Sequence, residues 1–323
     1  MIVTITLNPS VDEHISVHGL ELQEVNRWVR RRRDAGGKGI DVSRALHEMD
    51  EVTVAHGFIG GPDGRAVEIL LDEEGVLCSF TPIKQETRTN FIINDTKTFQ
   101  QTMISAPGPR ISRRELERFF KKLEKVRPRP DMIVASGSVP PGVPVSVYCD
   151  IINHCAASNI RTILDTSGPW LAEGIKAGPY LIKPNVYEAE ELLGRELPTE
   201  EAIIEGALSL VEMGIKVVVI SRGKDGIIAA TRDSLFKAVP PPVKVKSVVG
   251  AGDCTVAGLA LKLAAGGSLL DACRLAVAMG SAAVLTPGTE LCRRDDVERL
   301  LPQVKVWVMS STRRDKVFSA AVK

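Results

Sequence analysis

Short apolar runs with little alternation, separated by stretches of helical spacing, recur through most of this chain. That rhythm constrains its fold more than any single motif. Ile2–Leu7, Val52–His56, Asp131–Ser136, Ile160–Leu164, Tyr180–Ile182 and Lys216–Ser221 are the candidate strands. A strand with one wet face alternates apolar and polar residues, whereas one buried on both faces does not. Between the runs, Ser112 and Glu115 form a capping box ahead of Leu116, Phe119, Phe120 and Leu123. Thr199 caps a helix carrying Ile203, Ala207, Leu208 and Val211 that stops at Gly214, and Ser268 with Asp271 opens another that ends near Thr286 and Pro287. Alternating β and α units predict an α/β fold: a doubly wound, mainly parallel sheet with helices on both faces.

Two segments break the rhythm. Residues 11–34 alternate like strands and then carry the basic run Arg30–Arg33, which reads as a solvated surface. Residues 87–104 read as a hairpin turning at Asn94–Lys97. Together they predict a small β lid beside a body made of residues 1–10, 35–86 and 105–323. The 323 residues suit such a two-part molecule, and the basic tail after Met309 reads as loosely held.

A formal net charge of +1 gives no global field for nucleic acid or an anionic membrane, and 4% aromatic residues argue against base stacking. The start at Met1 lacks a basic leader and reads as a first strand, and no apolar stretch is long enough to span a bilayer. The cysteines at 78, 149, 155, 254, 273 and 292 form no C-x-x-C pair. They read as free thiols in a reducing cytoplasm. The five histidines show no metal-ligand spacing.

Chemistry concentrates in a few loops. Gly250-Ala251-Gly252-Asp253 opens a helix, where small residues let amide N–H groups close around an anion. A carboxylate there disfavours anion binding alone, but suits taking a proton from a hydroxyl attacking a phosphate; it also suits the helix dipole. Gly36-Gly37-Lys38-Gly39 is another glycine turn before a helix and is not a Walker A loop. Gly57–Gly64 is a poor dinucleotide fingerprint. Asn185 and Glu188 could hold Mg²⁺ through its waters or form a capping box, and Ser221–Gly226 could lie along a nucleotide or form a hairpin turn.

In their order these motifs resemble the ribokinase-like, phosphofructokinase-B (PfkB) carbohydrate kinases, in the branch of 1-phosphofructokinase and tagatose-6-phosphate kinase. The likeness runs from Thr4–Asp12 to Thr286–Thr289 through Val25–Arg27, Gly36–Gly39, Gly57–Gly61, Thr87–Asn90, Gly137–Gly142, Asp165–Gly168, Lys183–Asn185 with Glu188, and Val249–Asp253. The resemblance implies Asp253 as base and the amides of Gly250, Ala251, Gly252 and Asp253 as an anion hole. It implies Asp12 on sugar hydroxyls, with Gly37, Asp41 and Ser138 beside it. Lys38 and Arg88, with Arg27, would hold the phosphate already on the sugar. Lys183, Asn185, Ser221, Gly223 and Gly252 would meet ATP, and Asn185 with Glu188 would organise Mg²⁺. It further implies a homodimer through the lid. The branch usually has Asn where this chain has Asp41; an amide donates and accepts, and a carboxylate only accepts. Cys254 directly after the base is a milder departure. Fructose 1-phosphate is the acceptor the resemblance favours, ahead of tagatose 6-phosphate and fructose 6-phosphate. A silent sugar-phosphate sensor and a nucleotide-dependent oxidoreductase are the competing readings.

Overall fold

In a computed structural model of the chain, residues 1–288 and 290–309 are described; Thr289 and the tail after Met309 lie outside them. The strands are β1 (Ile2–Thr6), β2 (Ser10–Val17), β3 (Trp28–Gly36), β4 (Thr53–Ile59), β5 (Leu77–Cys78), β6 (Thr81–Pro82), β7 (Arg88–Asp95) and β8 (Gln101–Ile104), followed by β9 (Met132–Ser136), β10 (Arg161–Asp165), β11 (Leu181–Ile182), β12 (Val217–Ser221), β13 (Ile227–Ala230), β14 (Leu235–Val239) and β15 (Lys305–Met309). The unalternating runs become the central strands, and β1 and β9 are buried at every residue. The main sheet runs β15-β14-β13-β12-β11-β10-β9-β1-β4-β5, with β6 also on β4. It is parallel from β12 to β5 and antiparallel from β12 to β15. The three antiparallel edge strands, four or five residues long, are not among the candidate strands.

The chain leaves β1 toward β4, then crosses back to β9 and builds outward the other way. Such a reversal opens a crevice beyond the carboxyl ends of the central strands, where open α/β sheets bind ligands. Helices cover both faces. Those at Lys38–His47, Ala251–Ala264 and Leu269–Ala283 share one apolar core, and those at Arg113–Leu123, Val147–Ala156 and Glu200–Glu212 share the other. Helices Ala251–Ala264 and Leu269–Ala283 pack so closely that a Cβ on Gly258 would lie 2.6 Å from Ala276 Cα. The capping box at Ser112 and Glu115 forms, and Thr199 and Ser268 cap their helices.

The small sheet is separate, in the order β3-β2-β7-β8. The β7–β8 turn falls just after Asp95, whose carboxylate accepts from the amides of Gly19, Leu20 and Lys97 and from the Thr98 hydroxyl. The arginine run is not simply solvated. Along β3 its side chains alternate: Arg31 and Arg33 pair with Glu13, Arg33 also with Asp63, and Arg32 with Asp34 and Glu290. Asp34 lies on β3 itself, but pairing to β2 supplies Glu13 and the body supplies Asp63 and Glu290, so the basic run alone could not show it.

Candidate active site

Beyond the carboxyl ends of β1, β9 and β10 lies a cavity of about 500 Å³, walled on one side by the small sheet. Thr6, Asn8, Gly137, Ser138, Thr166 and Ser167 come from the strand ends, and Asp12, Arg88, Asn90 and Met103 from the small sheet. Gly37, Lys38, Asp41, Gly250, Gly252 and Asp253 complete it from two helix starts. Gly37 has φ +126°, and a Cβ there would lie 2.5 Å from Thr6 Cγ2; only glycine lets this helix start against β1. Gly250 is the left-handed N-cap, at φ +77°, of helix Ala251–Ala264, and Asp253 sits in the first turn.

Asp253 is buried. Burial pushes its carboxyl up to about 7; the Lys38 and Lys183 ammoniums pull it down and Asp165 pushes it further up. Lys38 Nζ lies 3.5 Å from Asp165 Oδ2, and Lys183 Nζ 3.2 Å from Asp165 Oδ1. Ser136 Oγ also donates to Asp165 Oδ2. Burial works against ionising Asp165, but Lys183 and Lys38 outweigh it and hold the acid below the usual carboxylate range. Asp165 in turn holds the proton on Lys38 well beyond the usual lysine range, against burial and with help from Asp253 and Glu188.

Asp12 and Arg88 sit on the small-sheet side. Asp12 Oδ1 accepts from Ser10 Oγ at 2.7 Å and Asn90 Nδ2 at 2.8 Å. Arg88 donates to Ala106 O at 2.8 Å and Asn8 O at 2.9 Å, which fixes its guanidinium at the rim. Burial lowers its pKa, and Asp12 is the one charge opposing that. Ser138 Oγ accepts from Asn8 Nδ2. Asp41 lines the cavity and accepts from Arg44 Nη1 at 3.3 Å. Burial, with Asp253 and Asp12 nearby, raises the Asp41 carboxyl well above the usual range despite Arg44. The shift favours the protonated form, in which the acid keeps a donor as an amide would, whereas the ionised form only accepts.

Lys183 lies beside the Gly250–Asp253 loop, and Asn185, Ser221 and Gly223 form a separate group. A Cβ on Gly252 would come 3.7 Å from Lys183 Nζ. Asn185 bridges to Ser221, and the two border a groove of about 470 Å³ with Arg222 and Asp225; Gly223 starts the tight turn Gly223–Asp225. Asn185 Oδ1 accepts from the Glu188 amide and Glu188 Oε2 from the Asn185 amide, so the capping box exists. It leaves lone pairs on two hard oxygen donors, which suits a cation that keeps its waters. Among the described residues, no group of three or more His, Cys, Asp or Glu could hold a metal directly.

Arg27 stands apart from these groups. It is exposed and lines neither the cavity nor the groove. The Asn26 amide ties this loop back to Glu21 and Glu24, a local fold that the motif match did not reveal. Three residues gain importance that the sequence reading did not give them: Asp165, Asn90 and Arg44. Asp165 and Asn90 lie inside quoted motifs, and Arg44 follows Asp41 by one helical turn.

A base at an anion-binding helix start, with cations on either side, suits moving a phosphoryl group onto a hydroxyl. The class this defines is a phosphotransferase. The chain belongs to the pfkB family of carbohydrate kinases, whose family model matches residues 4–296. It is 38% identical to the ATP-dependent 6-phosphofructokinase isozyme 2 of Mycobacterium tuberculosis over 92% of this chain and 88% of that protein. It is 35% identical to the 1-phosphofructokinase of Bacillus subtilis over 95% of this chain and 99% of that one. The structure of Escherichia coli phosphofructokinase-2 in complex with potassium matches with a TM-score of 0.90 at 32% identity, covering 94% and 98% of the two chains; that protein is also known in a tetrameric inhibited form. The fold is ribokinase-like and the protein is a sugar kinase, which removes the oxidoreductase reading.

Proposed function

We propose that this kinase transfers the γ-phosphoryl group of ATP to a hydroxyl of a phosphorylated ketohexose, with fructose 1-phosphate as first choice, giving fructose 1,6-bisphosphate. The observation that carries this is one cavity lined by both a buried carboxyl, Asp253, and a fixed guanidinium, Arg88. Asp253 takes the hydroxyl proton, the amides from Gly250 to Asp253 receive the phosphoryl oxygens, Asp12 orients sugar hydroxyls and Arg88 holds the resident phosphate. Lys183, Ser221 and Gly223 face ATP. Asn185 and Glu188 would hold Mg²⁺ through water, and the cation would neutralise phosphate charge when bound. The small sheet serves as a lid over the body and as a dimer contact. The cytoplasm, where thiols stay reduced, suits the six free cysteines.

A second reading, fructose 6-phosphate as acceptor, is favoured by the 38% identity to the mycobacterial enzyme. Coupled ADP release measured across fructose 1-phosphate, tagatose 6-phosphate and fructose 6-phosphate separates them by kcat/KM. No turnover with any of the three would overturn the proposal and favour a sensor.

A further inference from the structure

The two cations of the cavity are held by different partners. Arg88 is tied to the Asn8 and Ala106 carbonyls, with Asp12 its one charged neighbour of consequence. The carboxylates that act on Lys38 are Asp165, which it contacts, Asp253, in the first turn of the helix at Gly250, and Glu188, of the Asn185–Glu188 pair. Lys38 also differs from its neighbour Lys183. The Lys183 side chain is 6% exposed, whereas that of Lys38 is 44% exposed, and its contact with Asp165 is longer. An ammonium has three donors. One directed at Asp165 leaves two for oxygens arriving from the cavity.

We infer that Lys38 is a catalytic residue that meets the phosphoryl group in flight, and that Asp165 is the positioning residue that aims it. This rests on the phosphoryl-transfer reading above and reassigns Lys38 from the resident sugar phosphate. In the step, the acceptor oxygen forms a bond to the γ-phosphorus as the bond from that phosphorus to the β,γ-bridging oxygen breaks. The bond's electron pair leaves with ADP, and the hydroxyl proton goes to Asp253. Lys38 transfers no proton; it donates to an equatorial oxygen whose charge must be matched as the group moves. The buried Asp165 holds the ammonium in place and, with Lys183, balances the charge around Asp253.

The test compares Lys38→Ala, Lys38→Arg, Asp165→Asn and Arg88→Ala. Losing a transition-state donor costs about 10²–10³ in kcat. Lys38→Ala should fall by that much with the sugar-phosphate KM within about threefold of wild type, and Lys38→Arg should recover part of it. Arg88→Ala should show the opposite split. Lys38, Lys183, Asp165 and Asp41 all act on Asp253, so Asp165→Asn should move the acid limb of kcat/KM to lower pH. A second readout needs no acceptor sugar: calorimetry of ADP and Mg²⁺ with and without aluminium fluoride, which imitates the moving phosphoryl group. Wild type should gain affinity from the fluoride, and Lys38→Ala should lose that gain while binding ADP normally. The inference is overturned if Lys38→Ala keeps the gain, or keeps kcat while its sugar-phosphate KM rises tenfold or more. Inert wild type toward all sugar phosphates, with the fluoride gain intact, would strike at the substrate reading alone.

Discussion

Asp253 suits the role of base proposed for it because its burial is expensive. A carboxyl raised to about 7 by desolvation is half ionised near neutrality, where a general base works best. The acid limb of kcat/KM should therefore fall near pH 7, and Asp253→Asn should lower kcat by about 10²–10⁴ at pH 8. Stability follows the same proton. The folded pKa lies above the unfolded one, so this contribution is complete below the ordinary carboxylate value and is lost as pH rises through 7. Melting scans should find Asp253→Asn level with wild type only below about pH 4 and progressively more stable than it from there to pH 8; the reverse order would mean that the carboxylate is better solvated than its burial implies. At Asp41 burial, with Asp253 and Asp12 nearby, likewise pushes the carboxyl up, against Arg44. A group that donates when protonated and only accepts when ionised ranks sugars differently in its two states, by about 1–3 kcal/mol for one unpaired polar group. The wild-type ratio of kcat/KM between fructose 1-phosphate and tagatose 6-phosphate should drift as pH rises, and Asp41→Asn should flatten that drift. The place of Asp253 at a helix start was legible from its loop, because the glycine spacing marks that start. Its raised pKa was not, because burial by the tertiary fold raises it, and the charges that modify it, Lys38, Asp165 and Lys183, arrive from three other places in the chain.

At the scale of elements, the helix that carries Asp253 is held by its neighbour. Gly258 meets Ala276 at a crossing with no room for a methyl group, and a Cβ on Gly280 would lie 2.5 Å from Thr255 Oγ1. Overpacking of this kind costs about 1–3 kcal/mol, or roughly 2–12 °C in Tm for a chain of this size. Gly258→Ala should show that loss in calorimetry and should also reduce kcat, since the displaced helix begins at the anion hole. A variant with unchanged Tm would mean that the crossing can open. The caps at Ser112, Asn185, Thr199 and Ser268 were readable because each lies within four residues of what it bonds. The pairing of Arg31, Arg32 and Arg33 was not, because their partners include Asp63 and Glu290, far along the chain.

Over the whole molecule, the small sheet carries apolar surface without cover in this chain. Leu22 is 84% exposed, Trp28 61%, Phe99 90% and Ile104 56%. A surface of this kind marks an interaction site, and a second copy is the partner proposed above. Sedimentation should find a dimer, and Trp28→Glu with Ile104→Glu should yield monomer. A wild-type monomer at micromolar concentration would remove the dimer contact. The sequence by itself determined the parallel α/β body, the inserted strands and the glycine loops that line the cavity, because periodicity, capping and glycine turns act over a few residues. Tertiary structure alone decided which charges share a cavity. Lys38 and Asp165 stand 127 positions apart and meet only because β1 and β9 are neighbours at the reversal of the sheet. Electrostatic energy depends on distance in space and on burial, and neither is written in the spacing of residues along the chain.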